Sequence, residues 1–263
     1  DRLLIDRLSN PFEVSSYGTA RGLYAAFLPL SMVLAGVLAP ELARLLQRGD
    51  TRRSQHLTDL SLRVAMVAAF AIALVLSVIS GPLAVLIFGA KYAASGPLIG
   101  WMGWLLAPLF VGTILSEASV GAGLFRMPAI YSAVLMIALV TSDVLLIPGF
   151  GAAGAMAAKS VSTVGGVIVL GIALRHSTFF DVRRFVRATI GCGAAVVVAE
   201  VVIQAGLRLG LPWLVEIAVG LALYAAVIHV THVLSLAQFK ELLGKLRSFT
   251  PDPAAPSPAA QDL

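Results

Sequence analysis

The chain has 263 residues, of which 59% are hydrophobic and only 13% are charged, and its mean hydropathy is +0.92. Soluble domains carry about 25% charged residues, so this composition excludes an ordinary soluble domain and indicates a protein embedded in lipid. The net charge of +5 would suggest nucleic acid as the partner of a soluble protein. Here the cations lie in loops between apolar runs, where they set orientation and contact anionic membrane lipids. No nucleic-acid partner is therefore expected.

Seven apolar runs follow one another, and each is long enough to cross a hydrocarbon core of ~30 Å as a helix. They cover residues 14–39, 62–88, 96–124, 128–148, 152–174, 185–207 and 212–236. Continuous rather than alternating hydrophobicity excludes barrel strands and leaves helices, whose backbone hydrogen bonds are satisfied within each segment. The predicted fold is therefore all-α: a polytopic membrane helix bundle of about seven transmembrane helices that follows a short N-terminal stub.

Basic residues occur in alternate loops, and this pattern predicts the orientation of the bundle. The basic loops contain Arg44, Arg48, Arg52, Arg53 and Arg63, then Arg126, then Arg175, Arg183, Arg184 and Arg187, and finally Lys240, Lys245 and Arg247. The intervening turns contain only Lys91 and Arg208. Because basic loops remain in the cytoplasm, we expect the odd-numbered spans to run inward and Lys91 to lie outside.

The two ends of the chain differ from the bundle. The chain begins without a methionine, and the apolar run at residues 3–8 resembles the end of an earlier helix, so we expect a fragment that lacks an N-terminal part. The bundle is predicted to cover residues 1–236. An amphipathic helix on the cytoplasmic surface is predicted at 237–248, and a disordered, proline-rich tail at 249–263.

Prolines and small residues within the spans predict how the helices pack. Pro29, Pro82 and Pro108 lie within or near spans and are expected to kink them. Glycine and alanine are frequent, for example around Gly18 and Gly22, and such stretches let helices approach closely in lipid.

Two short patterns resemble a cofactor-binding site and a metal site, but neither predicts a bound group. The segment from Gly149 to Gly154 fits the spacing of a dinucleotide-binding turn, but no acidic residue follows about 20 positions later. It is interpreted as a tight outer turn that opens a closely packed helix. His229 and His232 are three residues apart, with no third ligand nearby. With Cys192 as the only cysteine, no disulfide, metal or cofactor is expected, and no catalytic constellation indicates an enzyme.

Charged residues inside the spans are the strongest candidates for function. They are Arg21, Glu117, Asp143, Lys159 and Glu200, and a charge at such depth is costly unless it is paired or faces a wet cavity. Asp143 precedes the turn at 148–151 by about as many residues as Lys159 follows it. Both should therefore lie ~10–12 Å below the outer surface on adjacent antiparallel helices. The pattern predicts a structural Asp143–Lys159 pair, a cavity-lining role, or both.

Four short motifs occur in order and on consistent sides of the membrane. They are Glu13-Val14 with Tyr17 and Ala20; Pro40 with Gly49-Asp50; Leu86–Gly89 with Tyr92; and Leu146–Gly151 with Gly154-Ala155. Together they resemble signatures of bacterial polysaccharide flippases, the Wzx-type O-antigen and exopolysaccharide flippases of the MATE-like MOP superfamily. Two positions depart from that pattern: Asp143 stands where asparagine is usual, and Lys159 where threonine or serine is usual.

The resemblance implies a two-lobed transporter in the bacterial inner membrane, of which this chain would be the C-terminal half. It would move an undecaprenyl-diphosphate-linked oligosaccharide across the membrane for surface polysaccharide biosynthesis, by rocking of its lobes. The implied partners are the lipid-linked oligosaccharide, membrane lipids and a polysaccharide polymerase complex. The alternatives are a cation-coupled multidrug exporter or a lipid II flippase of the same superfamily, or a non-transporting scaffold of a polysaccharide-synthesis complex.

The predicted substrate-binding residues are Arg21, Lys159, Asp143 and Glu117. Arg21 lies about two turns into the first span, and its guanidinium offers a planar fork of donors suited to a diphosphate. The alternative is structural: Arg21 reaches the outer headgroups or pairs with a carboxylate such as Glu200.

Overall fold

The computed structural model describes residues 11–36, 38–208 and 212–231. Within these ranges the chain forms nine α-helices and no strand. The helices are α1 Pro11–Ala26, α2 Leu28–Gly36, α3 Leu38–Gln47, α4 Thr51–Phe88, α5 Gly96–Trp104, α6 Leu106–Gly121, α7 Arg126–Ala173, α8 Val182–Arg208 and α9 Trp213–Val230, with a 3-10 helix at Ala90–Ser95. The predicted stub, the helix at 237–248 and the tail at 249–263 lie outside the described residues.

Six helical segments are long and apolar enough to cross a membrane. One of them, α7, has 48 residues and breaks at Gly151, whose φ of 54° and ψ of −130° are not helical. A β-carbon at Gly154 would overlap the carbonyl of Leu146, and one at Gly166 would overlap Leu135. Such contacts arise only if the parts of α7 before and after Gly151 (α7a, residues 126–150, and α7b, residues 152–173) run antiparallel. With α7 counted as two spans, the described residues form seven apolar segments long enough to cross a membrane, as expected for a multi-pass membrane protein.

Two of the predicted spans are interrupted helices. The first is divided into α1, α2 and α3, and the third changes from α5 to α6. The breaks at Phe27 and Leu105 come shortly before Pro29 and Pro108, because a proline has no backbone N–H to donate to the carbonyl four residues earlier and its ring clashes with that carbonyl. By contrast, α4 continues through Pro82.

The helix α4 extends well beyond the apolar run that predicted it. It begins at Thr51, where the Asp50 side chain accepts a hydrogen bond from the Arg53 backbone N–H at 3.1 Å. Hydropathy marks only the part in lipid, whereas the helix continues to this cap. At 38 residues it is ~57 Å long, and it contacts α3, α5, α6, α8 and α9.

Cross-chain contacts place the loops at two ends of the bundle. Gln55, near the start of α4, donates to the carbonyl of Thr178 in the α7–α8 loop at 2.9 Å, so these two basic loops share one end. At the other end, Glu13 of α1 contacts the backbone of Ala152 at the α7 break. This arrangement agrees with the alternation of cytoplasmic and outer loops that the arginines predict.

Candidate functional site

A stripe of polar residues on α1 faces α7. Glu13, Tyr17, Arg21 and Tyr24 are spaced by three or four residues, which places them along one side of a helix. Tyr17 is fully buried and Tyr24 nearly so, whereas Arg21 is exposed. The two tyrosines therefore fix the packing of this stripe, and Arg21 presents its charge at the open edge.

The two charged residues of α7 lie opposite this stripe. Asp143, on α7a, is 1% exposed, and Lys159, on α7b, is half-buried. The Lys159 ammonium lies over the Tyr24 ring, 5.7 Å from its centroid, within the range of a cation–π interaction. Arg21 and Asp143 both lie close enough to interact with the charge of Lys159. We refer to Tyr17, Arg21, Tyr24, Asp143 and Lys159 as the α1–α7 cluster.

The cluster differs from the simple pair predicted by depth alone. Asp143 and Lys159 attract each other, but among the described residues no ion pair joins them at contact distance. Lys159 instead contacts Tyr24, a residue of a third helical segment. Asp143 lies close enough to Tyr17 for its carboxylate charge to interact with the Tyr17 hydroxyl. The charges at positions 143 and 159 therefore form a network that includes α1, rather than an isolated bridge within α7.

Lys159 is held in place by bonds around it. The carbonyl of Lys159 accepts hydrogen bonds from the hydroxyls of Ser162 at 2.9 Å and Thr163 at 2.7 Å. Its neighbour Ser160 accepts a hydrogen bond from the indole N–H of Trp101 on α5 at 3.1 Å. The first two bonds lie within α7b, whereas the Trp101–Ser160 bond connects α7b to α5 next to the lysine.

Glu117 does not belong to the α1–α7 cluster. It lies on α6, one turn before the helix ends at Gly121, and no hydrogen bond, ion pair or ring contact in the described part of the chain joins it to the cluster. Glu200 also lies elsewhere: its two carboxylate oxygens accept hydrogen bonds from Ser77 at 3.1 Å and Gln204 at 2.8 Å. The alternative in which Glu200 pairs with Arg21 is therefore wrong.

The tyrosines are site residues that the sequence reasoning missed. The sequence pattern includes Tyr17 only as part of a motif, and it does not single out Tyr24 as a site residue. The available signal was their helical spacing from Arg21, four residues before it and three after it. Tyr131, on α7a, extends the aromatic surface because it lies close enough to Tyr24 to interact with it.

The other patterns considered in the sequence occupy structural positions. The segment from Gly149 to Gly154 forms the turn and the close helix contact at the α7 break, as interpreted from sequence. His229 is exposed near the end of α9, and His232 lies outside the described residues. Within those residues, no group of three or more histidine, cysteine or acidic side chains is placed to hold a metal ion.

The chemistry of the α1–α7 cluster favours an anionic group. The charges of Arg21 and Lys159 interact within the cluster, which also contains the carboxylate of Asp143. Like charges in a medium of low dielectric constant repel strongly, so an anion between them would relieve that repulsion. Exposed Arg21 and half-buried Lys159 leave access from the open side of α1.

Comparison with known proteins gives one informative result. No family model and no curated protein matches the chain. Among solved structures, it is similar to the lipid II flippase MurJ in an inward closed conformation, with a TM-score of 0.64 and 14% sequence identity. The likeness covers 88% of this chain and 48% of that structure, so the chain spans about half the length of the protein it matches. The chain therefore has the membrane fold found in half of a flippase.

Proposed function

We propose that the chain forms one lobe of a transporter that flips an undecaprenyl-diphosphate-linked oligosaccharide across the bacterial inner membrane for cell-surface polysaccharide biosynthesis. The observation that carries this proposal is that two cations, Arg21 of α1 and Lys159 of α7b, belong to one cluster, in which the Lys159 ammonium lies 5.7 Å from the centroid of the Tyr24 ring. A transporter of such a substrate must move a diphosphate through a region of low dielectric constant, where only fixed cations compensate its charge.

The two cations have complementary roles in this proposal. The Arg21 guanidinium contacts the diphosphate through its fork of donors. Lys159 supplies a second charge, and its position depends on the Tyr24 ring. Asp143 limits the net charge of the site, which favours release after transport.

The motifs shared with polysaccharide flippases support this substrate, whereas the fold similarity to MurJ favours a lipid II flippase as the second candidate. Both substrates carry a lipid-linked diphosphate, so the α1–α7 cluster serves either. A drug exporter would not need two cations at this position, and a scaffold would need no buried charges at all.

A deletion strain distinguishes these functions. Loss of the gene that encodes the full-length protein should abolish surface polysaccharide while cells keep dividing, and lipid-linked oligosaccharide should accumulate on the inner leaflet. Lysis with loss of peptidoglycan synthesis would favour lipid II. Normal surface glycan and normal growth, in a strain without a second flippase, would contradict both. Complementation with the Lys91→Gln variant, which alters an exposed outer lysine, is the matched control for Arg21→Gln and Lys159→Gln.

A further inference from the structure

A lipid-facing cavity lies between α7b and α8, and none of its lining residues belongs to the α1–α7 cluster. It has a volume of about 250 Å³ and is lined by Phe70, Val111, Val164, Ile168, Phe185 and Thr189, among others. Val164 and Ile168 are 44% and 55% exposed, so the wall formed by α7b opens toward the bilayer. The cavity is therefore accessible from the membrane.

The apolar lining of the cavity suits a hydrocarbon chain and would not stabilise a polar ligand. Thr189 is its single polar lining side chain, and its hydroxyl already donates to the carbonyl of Phe185 at 2.9 Å and contacts the Met66 sulfur at 3.5 Å. A polar group placed there would lose its hydrogen bonds to water without replacement.

Cations lie at the cytoplasmic ends of the two helices that border the cavity. Arg175 lies two residues beyond the end of α7b at Ala173. It is exposed, and its Nε donates to His176, which leaves its terminal amino groups for another acceptor. Arg183 at the start of α8 is also exposed. The acidic residue of this loop, Asp181, is engaged by Arg184 at 3.3 Å and by the backbone of α8.

We propose that this cavity binds one acyl chain of an anionic phospholipid of the cytoplasmic leaflet, and that Arg175 and Arg183 bind its phosphate headgroup. The apolar cavity and the cations at the cytoplasmic ends of the helices have the order along the membrane normal that such a lipid has. Guanidinium groups bind phosphate with paired hydrogen bonds, and each cation near an anionic surface contributes measurably to lipid affinity. A bound lipid would join α7b to α8, two helices that otherwise leave a gap.

The test uses the purified full-length protein in detergent, titrated with phosphatidylglycerol or with phosphatidylcholine of the same acyl chains, while its melting temperature is recorded. Half-saturation should occur at an about fivefold lower concentration of phosphatidylglycerol, and Arg175→Gln should remove most of that preference. Val164→Phe, which fills the rim of the cavity, should weaken the response to both lipids. Lys91→Gln, at the opposite end of the bundle, should behave as wild type.

Equal responses to the two lipids, or an unchanged preference in Arg175→Gln, would overturn the proposal. Stabilisation by an isoprenyl diphosphate but not by phosphatidylglycerol would also overturn it and would assign the cavity to the lipid chain of a transported substrate. Native mass spectrometry gives an independent readout, since the wild type should retain phosphatidylglycerol under conditions that strip it from Val164→Phe. This result does not depend on transport activity, so it is separate from the proposed function.

Discussion

The carboxylate of Glu13 accepts a hydrogen bond from the backbone N–H of Ala152 at 3.0 Å, and so joins the start of α1 to the break in α7. Ala152 follows Gly151, where the helical path is interrupted, and its N–H belongs to the first turn of α7b. The first N–H groups of a helix have no partner within the helix. Glu13 therefore acts as an N-terminal cap supplied by another helix, and it aligns α1 with the two halves of α7 that contribute to the α1–α7 cluster.

Replacing Glu13 should loosen this junction. Glu13→Ala is expected to lower the free energy of unfolding by about 1–2 kcal/mol, because a half-buried donor loses a charge-assisted partner. Glu13→Gln keeps an acceptor oxygen without the charge and should cost about half as much. Thermal melts of the two variants in the same detergent measure the difference. Equal stability of Glu13→Ala and wild type would show that water replaces the carboxylate without cost.

Arg21 provides a test of the diphosphate interaction. Arg21→Lys keeps the charge but not the fork of donors, so it should reach the membrane at wild-type levels and reduce transport about tenfold, the factor for one charge-assisted hydrogen bond of about 1.5 kcal/mol. Arg21→Gln should reduce transport further. Surface glycan and inner-leaflet lipid-linked oligosaccharide are the readouts. Full transport by Arg21→Gln would eliminate a role for the charge.

Local signals in the sequence predicted the seven passes and the turn at Gly151, because hydropathy and glycine act on their own segment of chain. The approach of Asp143 to Lys159 across that turn followed from counting residues on either side of it. The contact of Lys159 with Tyr24 did not follow, because it depends on how α1 packs against α7. The separation of Glu117 from the α1–α7 cluster did not follow from sequence either, because it depends on which helices pack around α6.

Tyr24 tests how Lys159 is positioned. Tyr24→Leu removes the ring under the ammonium group, an interaction of about 0.5–2 kcal/mol, and should lower transport about threefold to tenfold by letting the lysine side chain move. Tyr24→Phe keeps the ring and should retain most of the activity. A loss of activity in Tyr24→Phe as large as in Tyr24→Leu would assign the effect to the hydroxyl and contradict the cation–π interpretation. Melting temperatures of both variants separate positioning from a general loss of stability.

The orientation of the bundle is open to direct measurement. In a Cys192→Ala background, a cysteine at position 91 should react with a membrane-impermeant maleimide from outside the inner membrane, and one at position 48 only after the cytoplasmic side is exposed. The alternating arginines predict this result, and the Gln55–Thr178 contact shows that two of the basic loops lie at the same end of the bundle. Labelling of position 91 from the cytoplasm alone would reverse the topology.

The turn at the α7 break offers a matched pair of glycines within one motif. A β-carbon at Gly154 would overlap the backbone carbonyl of Leu146, whereas one at Gly149 meets open space. Without a hydrophobic force between helices in lipid, close backbone contacts of this kind hold spans together. Gly154→Val should therefore separate α7a from α7b, with a loss of about 3 kcal/mol or more in stability, and should displace Lys159 from Asp143. Gly149→Ala should leave the melting temperature and transport near wild type. If the two variants were equally stable, the halves of α7 would not depend on this contact.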